Sequence, residues 1–227
     1  MLMQAVPPQP PSMMGRMTSL HEARLDQVLR RLKATGARRV LDLGCGAGHL
    51  LHRLAGEPQF EEIVGLERSG DALLEARALL SEHLASGRSG LRLVCGSYAE
   101  AHAAFRDYDA AAMVETIEHV RPEELSAVER AVFGSMRPRV LYLTTPNREY
   151  NPLFGMAPDE RREPDHQFEW DRARFRRWTV GVAQRNGYRV TMGGLGESHP
   201  ELGHPTQTAF FERLDPNSPV TLPAFGG

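Results

Sequence analysis

The stretch Val114-Glu115-Thr116-Ile117-Glu118-His119-Val120 sets two carboxylates and an imidazole within five positions, directly after the apolar run 110–114. A strand that ends in Glu and turns at once into Glu-His can aim all three side chains at one point. Carboxylate oxygens and neutral imidazoles together suit a divalent ion of intermediate softness. A plainer reading stays open, because acids just ahead of a helix are favoured by its dipole and need no metal.

A second chemical feature lies upstream. Asp42-Leu43-Gly44-Cys45-Gly46-Ala47-Gly48 falls between a strand pattern and a helix pattern. Glycines at such a turn let the backbone approach a ligand closely. They recur here at every second position, whereas the dinucleotide fingerprint is Gly-x-Gly-x-x-Gly, and His49 stands where its third glycine belongs. An NAD-dependent dehydrogenase is therefore disfavoured, and a turn without a ligand is the bland alternative. Asp-x-Gly-x-Gly-x-Gly, with Glu67 closing the next strand, resembles the S-adenosylmethionine (SAM) site of class I methyltransferases. The resemblance implies that Gly44, Gly46 and Gly48 line the cofactor and that Glu67 accepts its ribose hydroxyls. It also implies that Asp42 orients the turn and the region near the methionine amino group.

The elements that must position these residues are legible in the hydrophobic pattern. Leu25, Val28, Leu29 and Leu32 repeat at helical spacing, and Gly36 closes that helix. Strands are predicted at 38–43, 62–67, 91–96, 109–114, 140–144, 188–192 and 208–211, with helices at 49–54, about 71–84, from Pro122 onward and about 171–185. This alternation predicts an α/β, Rossmann-like fold with a mostly parallel central sheet of about seven strands and helices on both faces. Residues 19–215 read as one domain, between a Pro/Met-rich tail at 1–18, expected to be disordered, and a second tail at 216–227.

Composition narrows the classes further. The chain has 227 residues, 41% hydrophobic and 25% charged, as one globular domain does. It shows neither an apolar run of membrane-spanning length nor a signal-peptide layout. Cys45 and Cys95 are too few for a disulfide framework, so a reducing, cytoplasmic setting is expected. A net charge of −2 argues against wholesale electrostatic binding of nucleic acid but permits a local basic patch.

Further motifs complete a pattern. Gly96-Ser97-Tyr98 follows the third strand, Tyr108-Asp109 precedes the fourth, Thr145-Pro146-Asn147-Arg148-Glu149-Tyr150-Asn151 follows the fifth, and Asp165-His166-Gln167-Phe168-Glu169-Trp170 comes later. With Glu-x-x-Glu-His, this succession resembles the catalytic domain of the HUA-enhancer-type small-RNA methyltransferases, from about Leu20 to Leu214. The resemblance implies methyl transfer from SAM to the 2′-hydroxyl of the 3′-terminal nucleotide of an RNA. It implies a metal held by Glu115, Glu118, His119 and His166, and Ser97 near the adenine. Two vacant positions of an octahedral shell would suit the vicinal hydroxyls of a free RNA end, which a DNA end lacks. Mixed nitrogen and oxygen ligands favour Mn²⁺, Co²⁺ or Fe²⁺ over Mg²⁺. Asp171 departs from the family's usual Thr and bears only on the cap of the following helix.

The extra RNA-binding regions of plant members and the separate N-terminal domain of many bacterial ones are not visible in this sequence. The identity of the RNA, silencing or repaired, and of RNA-repair or small-RNA-pathway protein partners therefore stays open, as does the oligomeric state. Arg161, Arg162 and Arg172, with Arg24 on the first helix, are candidates for RNA phosphates; a solvated helix face is the competing reading. Two other functions compete with the leading one: methylation of a small vicinal diol, and SAM or RNA-end binding without catalysis. His21, His52, His83 and His102 read as surface or packing residues, and Trp170 and Trp178 as core.

Overall fold

A computed structural model describes residues 13–87, 89–100 and 102–215, with side chains from residue 19 onward. Its frame is a seven-stranded sheet in the order β3-β2-β1-β4-β5-β7-β6. The strands are β1 (Arg39–Leu43), β2 (Glu62–Glu67), β3 (Arg92–Cys95), β4 (Ala110–Val114), β5 (Val140–Pro146), β6 (Tyr188–Leu195) and β7 (Thr206–Arg213). β1 to β5 pair in parallel, and β7 runs antiparallel to both β5 and β6. The α/β, Rossmann-like fold with a mostly parallel sheet of about seven strands, predicted from the alternation, is the one observed.

Strand alternation divides the core between the two faces of the sheet. Leu41, Leu43, Met113 and Leu141 pack with Val128, Phe175 and Val182 on one face. Val40, Ile63 and Ala110 pack with Leu32, Leu51 and Ala76 on the other. Burying a leucine such as Leu41 or Leu51 fully contributes about 2 kcal/mol.

Helix α1 (Met13–Ala34) lays Leu25, Val28 and Leu32 into the second core, and Gly36 at φ 69° ends it. Its start at Met13 lies inside the stretch 1–18 expected to be a tail; residues 1–12 and 216–227 lie outside the described residues. The helix expected over about 71–84 is two, α3 (Gly70–Leu79) and α4 (Ser81–Ser86). The chain bends at Leu80, which is fully buried beside Gly48 of the glycine turn. The segment opened by Pro122 begins as a 3₁₀ turn, becomes α5 (Leu125–Val128) and widens into a π-helical stretch over Glu129–Met136. Helix α2 (His49–Ala55) follows the glycine turn, and α6 (Arg172–Asn186) is capped by the Asp171 side chain. Trp170 is buried, 5.3 Å from Trp178, as a core pair. Among the described residues no helix is long and apolar enough to cross a membrane.

β1 lies between β2 and β4, so the strand order reverses there. In such sheets the crevice for ligands opens at the carboxyl ends of the strands beside that point. Both sequence motifs sit at that edge.

Candidate methyl-transfer site

The glycine turn leaves β1 with Gly44 at φ 79°. A Cβ at Gly44 would stand 2.1 Å from Thr116 Oγ1, so both conformation and space require glycine there. Tyr98 fixes Thr116 by hydrogen-bonding its carbonyl at 2.9 Å, which joins the turn after β3 to the turn after β4. Glu67, at the end of β2, accepts hydrogen bonds from Gly46 N at 3.1 Å and Ser69 N at 2.8 Å. Its carboxylate therefore shapes the turn as well as facing the cleft. Asp42 is 2% exposed, and its Oδ2 has no hydrogen-bond partner. Burial, reinforced by the charge of Glu67, pushes its pKa up to about 7. A cleft of about 520 Å³ opens over these groups, lined among others by Gly44, Gly46, Glu67, Ser97, Glu115 and His119.

The acid–imidazole motif forms a second cluster. Strand β4 ends at Val114; Glu115 follows at φ 48°, a left-handed conformation uncommon outside glycine. A 3₁₀ turn over Ile117–His119 then swings Glu118 inward to full burial. Thr145, in β5, donates to Glu118 Oε2 at 3.0 Å, while Glu118 Oε1 is buried without a partner. The loop carrying His166 is tied to this turn by Gln167 N, which donates to the Glu118 carbonyl at 2.7 Å. Glu118, His119 and His166 each offer a ligand atom, and these atoms lie within 4.8 Å of one another.

Both imidazoles are aimed by carboxylates. His119 Nδ1 pairs with Asp165 at 3.0 Å and His166 Nδ1 with Glu169 at 2.7 Å, leaving each Nε2 available. Asn151 and the Arg162 backbone N–H in turn hold Glu169, at 2.6 and 2.7 Å. Burial works to raise the Glu169 pKa, but the bonds from His166, Arg162 and Asn151 hold it below the usual range. Burial keeps His119 neutral to lower pH than usual, the form that ligates a metal. Glu118 is displaced upward, first by burial and then by the charge of Glu115. A buried, unpartnered carboxylate oxygen beside two oriented imidazoles fits a divalent cation.

Glu115, the fourth residue of the expected ligand set, lies beside this cluster and lines both cavities. Its Oε2 pairs with Arg24 at 3.0 Å, and its Oε1 accepts from Thr144 Oγ1 at 2.8 Å. The guanidinium of Arg24 is almost wholly buried and needs a counter-ion, which Glu115 supplies. These bonds engage both carboxylate oxygens, and the three-residue cluster forms without Glu115. Arg24, expected at RNA phosphates, is thus held inside the site.

A cavity of about 390 Å³ adjoins this pair, lined by His21, Arg24, Glu115, His119, Phe154 and His166 with several neighbours. It shares Glu115 and His119 with the cleft over the glycine turn. Two pockets thus meet at one wall, and that wall belongs to the acid–imidazole motif. The other arginines are turned toward protein. Arg161 donates to the His166 carbonyl, Arg162 binds Asn151 Oδ1 at 2.7 Å and the Asn147 carbonyl at 2.9 Å, and Arg172 pairs with Glu149 at 2.5 Å.

Comparison with known proteins agrees with this geometry. A family described as "Methyltransferase domain" matches residues 40–139. The crystal structure of the methyltransferase domain of bacterial CtHen1 aligns with a TM-score of 0.77 at 37% identity, covering 86% of this chain and 98% of that one. The chain belongs to the Hen1 methyltransferase family. Small RNA 2′-O-methyltransferases of Tetrahymena thermophila and Xenopus tropicalis are 34% and 32% identical over 85% and 86% of this chain. The chain spans about half the length of these two relatives, 49% and 55%.

Within the Hen1 fold, several site residues escape a reading by motif. Asp165 and Glu169 were legible only as neighbours of His166, although Glu169 lies three residues beyond it, within reach of its ring. His21 lines the cavity, three positions before Arg24 on α1 and so on the same helix face, rather than serving only as packing. Arg24 and Glu115 are 91 positions apart, and no local spacing signals their pairing.

Proposed function

We propose that this Hen1-family chain transfers methyl from SAM to the 2′-hydroxyl of the 3′-terminal nucleotide of RNA, with a divalent metal bound. The observation that supports it is the meeting of the two cavities at Glu115 and His119, beside the Glu118–His119–His166 cluster. SAM supplies an electrophilic methyl on a sulfonium, and a metal held by Glu118, His119 and His166, with Glu115 as the fourth expected ligand, would supply a Lewis acid for a poorly acidic hydroxyl. Mn²⁺ or Co²⁺ suits these ligands better than Mg²⁺.

The chain's own groups then have defined tasks. The glycine turn and Glu67 seat the cofactor's nucleoside, and Asp42 gives its ammonium group an anionic partner. Asp165 and Glu169 fix the imidazoles so that neither ring turns away. The wall at Glu115 and His119 sets the acceptor cavity against the donor cleft, and alignment across it removes much of the entropic part of the barrier. Cys45 and Cys95 carry no disulfide, in keeping with action in a reducing cytoplasm.

Transfer from labelled SAM to short RNAs ending in 2′,3′-diol, 2′-deoxy, 3′-deoxy or 3′-phosphate tests this reading. The diol end is expected to be methylated, the 2′-deoxy end not at all and the other two poorly. A diol end left unmethylated overturns the reading. Equal turnover of a free nucleoside moves it to small vicinal diols.

A further inference from the structure

The acceptor cavity has a second neighbour. Leu20 and Phe154 line both it and a cavity of about 500 Å³ whose other walls include Tyr150, Leu153, His199 and Pro205. The acceptor cavity therefore adjoins the donor cleft at Glu115 and His119, and this apolar chamber at Leu20 and Phe154. If a terminal ribose lies against the donor, the rest of its strand must leave by another side. The chamber adjoins that side.

Its chemistry selects which part of a nucleotide it receives. Among the described residues no lysine or arginine lines it, and Glu197 contributes an anion, so a phosphate is disfavoured. Apolar and aromatic surface dominates instead. The Tyr150 and Phe154 rings lie 5.4 Å apart, and Leu153 is 41% exposed beside them. Aromatic and aliphatic surface takes the face of a base whatever its sequence. His199 Nδ1 accepts from Glu201 N at 3.3 Å and Leu202 N at 3.2 Å, which fixes the imidazole as part of the wall.

The chamber is also preformed. Gly196, at φ 92°, brings the end of β6 against Pro205 and Leu20, and a Cβ there would stand 2.5 Å from Pro205 Cγ. His199 and Gly203 exchange backbone hydrogen bonds at 2.7 and 2.9 Å and close the loop on itself. Such a wall needs little reordering on binding.

We infer that this chamber is the subsite for the base of the nucleotide immediately 5′ to the terminal one, held by stacking rather than by phosphate contact. The inference rests on the RNA-end reading above. It makes the last two nucleotides the recognised unit, with the penultimate base bound for its face and not its identity.

The test uses two RNAs of one sequence, both with a 2′,3′-diol end, one carrying an abasic ribose at the penultimate position. The parent protein is expected to show a KM about tenfold higher for the abasic RNA, as for one missing stacked base, with kcat little changed. Leu153→Glu is expected to raise the KM for intact RNA and to erase the difference between the two. 2-Aminopurine at the penultimate position should be quenched on binding to the parent and not to Leu153→Glu. Equal KM values for the two RNAs in the parent, with no quenching, overturn the subsite while leaving methyl transfer standing. Failure to methylate either RNA overturns the underlying reading, and the subsite with it.

Discussion

Asp42 and Glu118 are both buried carboxylates, each with an oxygen that lacks a partner, one in β1 just before the glycine turn and one in the acid–imidazole motif after β4. Burying such a group costs several kcal/mol unless something of opposite charge meets it. Neither has a basic side chain hydrogen-bonded to it among the described residues. Burial raises the pKa of each, and the largest charge effect on each is another acid, Glu67 for Asp42 and Glu115 for Glu118, which adds to the cost. They differ in what surrounds the orphan oxygen. Glu118 has two imidazoles within 4.8 Å, each oriented by its own carboxylate, whereas Asp42 lies below a glycine turn that offers only backbone. The first setting fits a small, hard charge with several ligands, and the second an organic cation seated from above. On the function proposed above, two different cations would match these two acids.

The largest effect expected from that comparison is at Glu118. Glu118→Gln keeps the size and the bond to Thr145 but removes the charge. Mn²⁺ affinity, measured by direct titration, should fall by on the order of 100-fold, and methyl transfer with it. S-adenosylhomocysteine binding should survive, because Asp42 and Glu67 are untouched. Without metal the variant should melt no lower than the parent, since an unpaired buried acid is gone. Unchanged Mn²⁺ binding in Glu118→Gln would break the comparison at its stronger end.

Asp42 predicts a dependence on pH. The folded chain holds the Asp42 proton to about pH 7, whereas an unfolded chain releases it near 3.8. The folded state thus binds more protons between those values, and its stability falls as pH rises through the window, by at most about 4 kcal/mol. Asp42→Asn should remove that slope and melt higher than the parent at pH 8. The same change should weaken S-adenosylhomocysteine severalfold at pH 8, where the parent's carboxylate is ionised and attracts the ligand's ammonium. A variant with the parent's slope of melting temperature against pH would show that Asp42 titrates in both states alike.

These contrasts also mark how far the sequence could be read. Seven strands and the glycine turn were legible because short apolar runs ended at turns, and the burial of β1, β4 and β5 follows from that composition. Glu118 and His119 were legible as chemistry in their own spacing, whereas His166, 47 positions beyond His119, joined them only through a resemblance. The pairing of Arg24 with Glu115 was not legible: α1 reaches the carboxyl edge of β4 only by packing across the sheet. The break at Leu80 was equally hidden, because helical periodicity continues through it and only the contact at Gly48 bends the chain.

Glu67 lies between the extremes. Its oxygens already hold two backbone N–H groups, so it is partly matched without a ligand. Glu67→Ala should lower S-adenosylhomocysteine affinity about tenfold, the loss of charge-assisted bonds to ribose hydroxyls. Glu67→Gln should recover part of it by keeping acceptor Oε1 for Ser69. An Ala variant with full affinity would remove Glu67 from the ribose and leave it as a brace for the turn.

Arg172 is the far end of the same scale, a charge fully matched by protein. Its Nε pairs with Glu149 at 2.5 Å and its Nη2 donates to the Glu201 carbonyl at 2.5 Å. An exposed pair of this kind stabilises the fold by at most about 1 kcal/mol, and a guanidinium so engaged has little to offer a phosphate. Arg172→Gln should therefore leave the RNA KM within about twofold of the parent. It should also leave the slope of log KM against log salt unchanged, since giving up a single phosphate would flatten that slope by nearly one. A clear flattening would show that Arg172 leaves Glu149 for RNA. Unmatched charge would then cease to be a guide to where ligands bind.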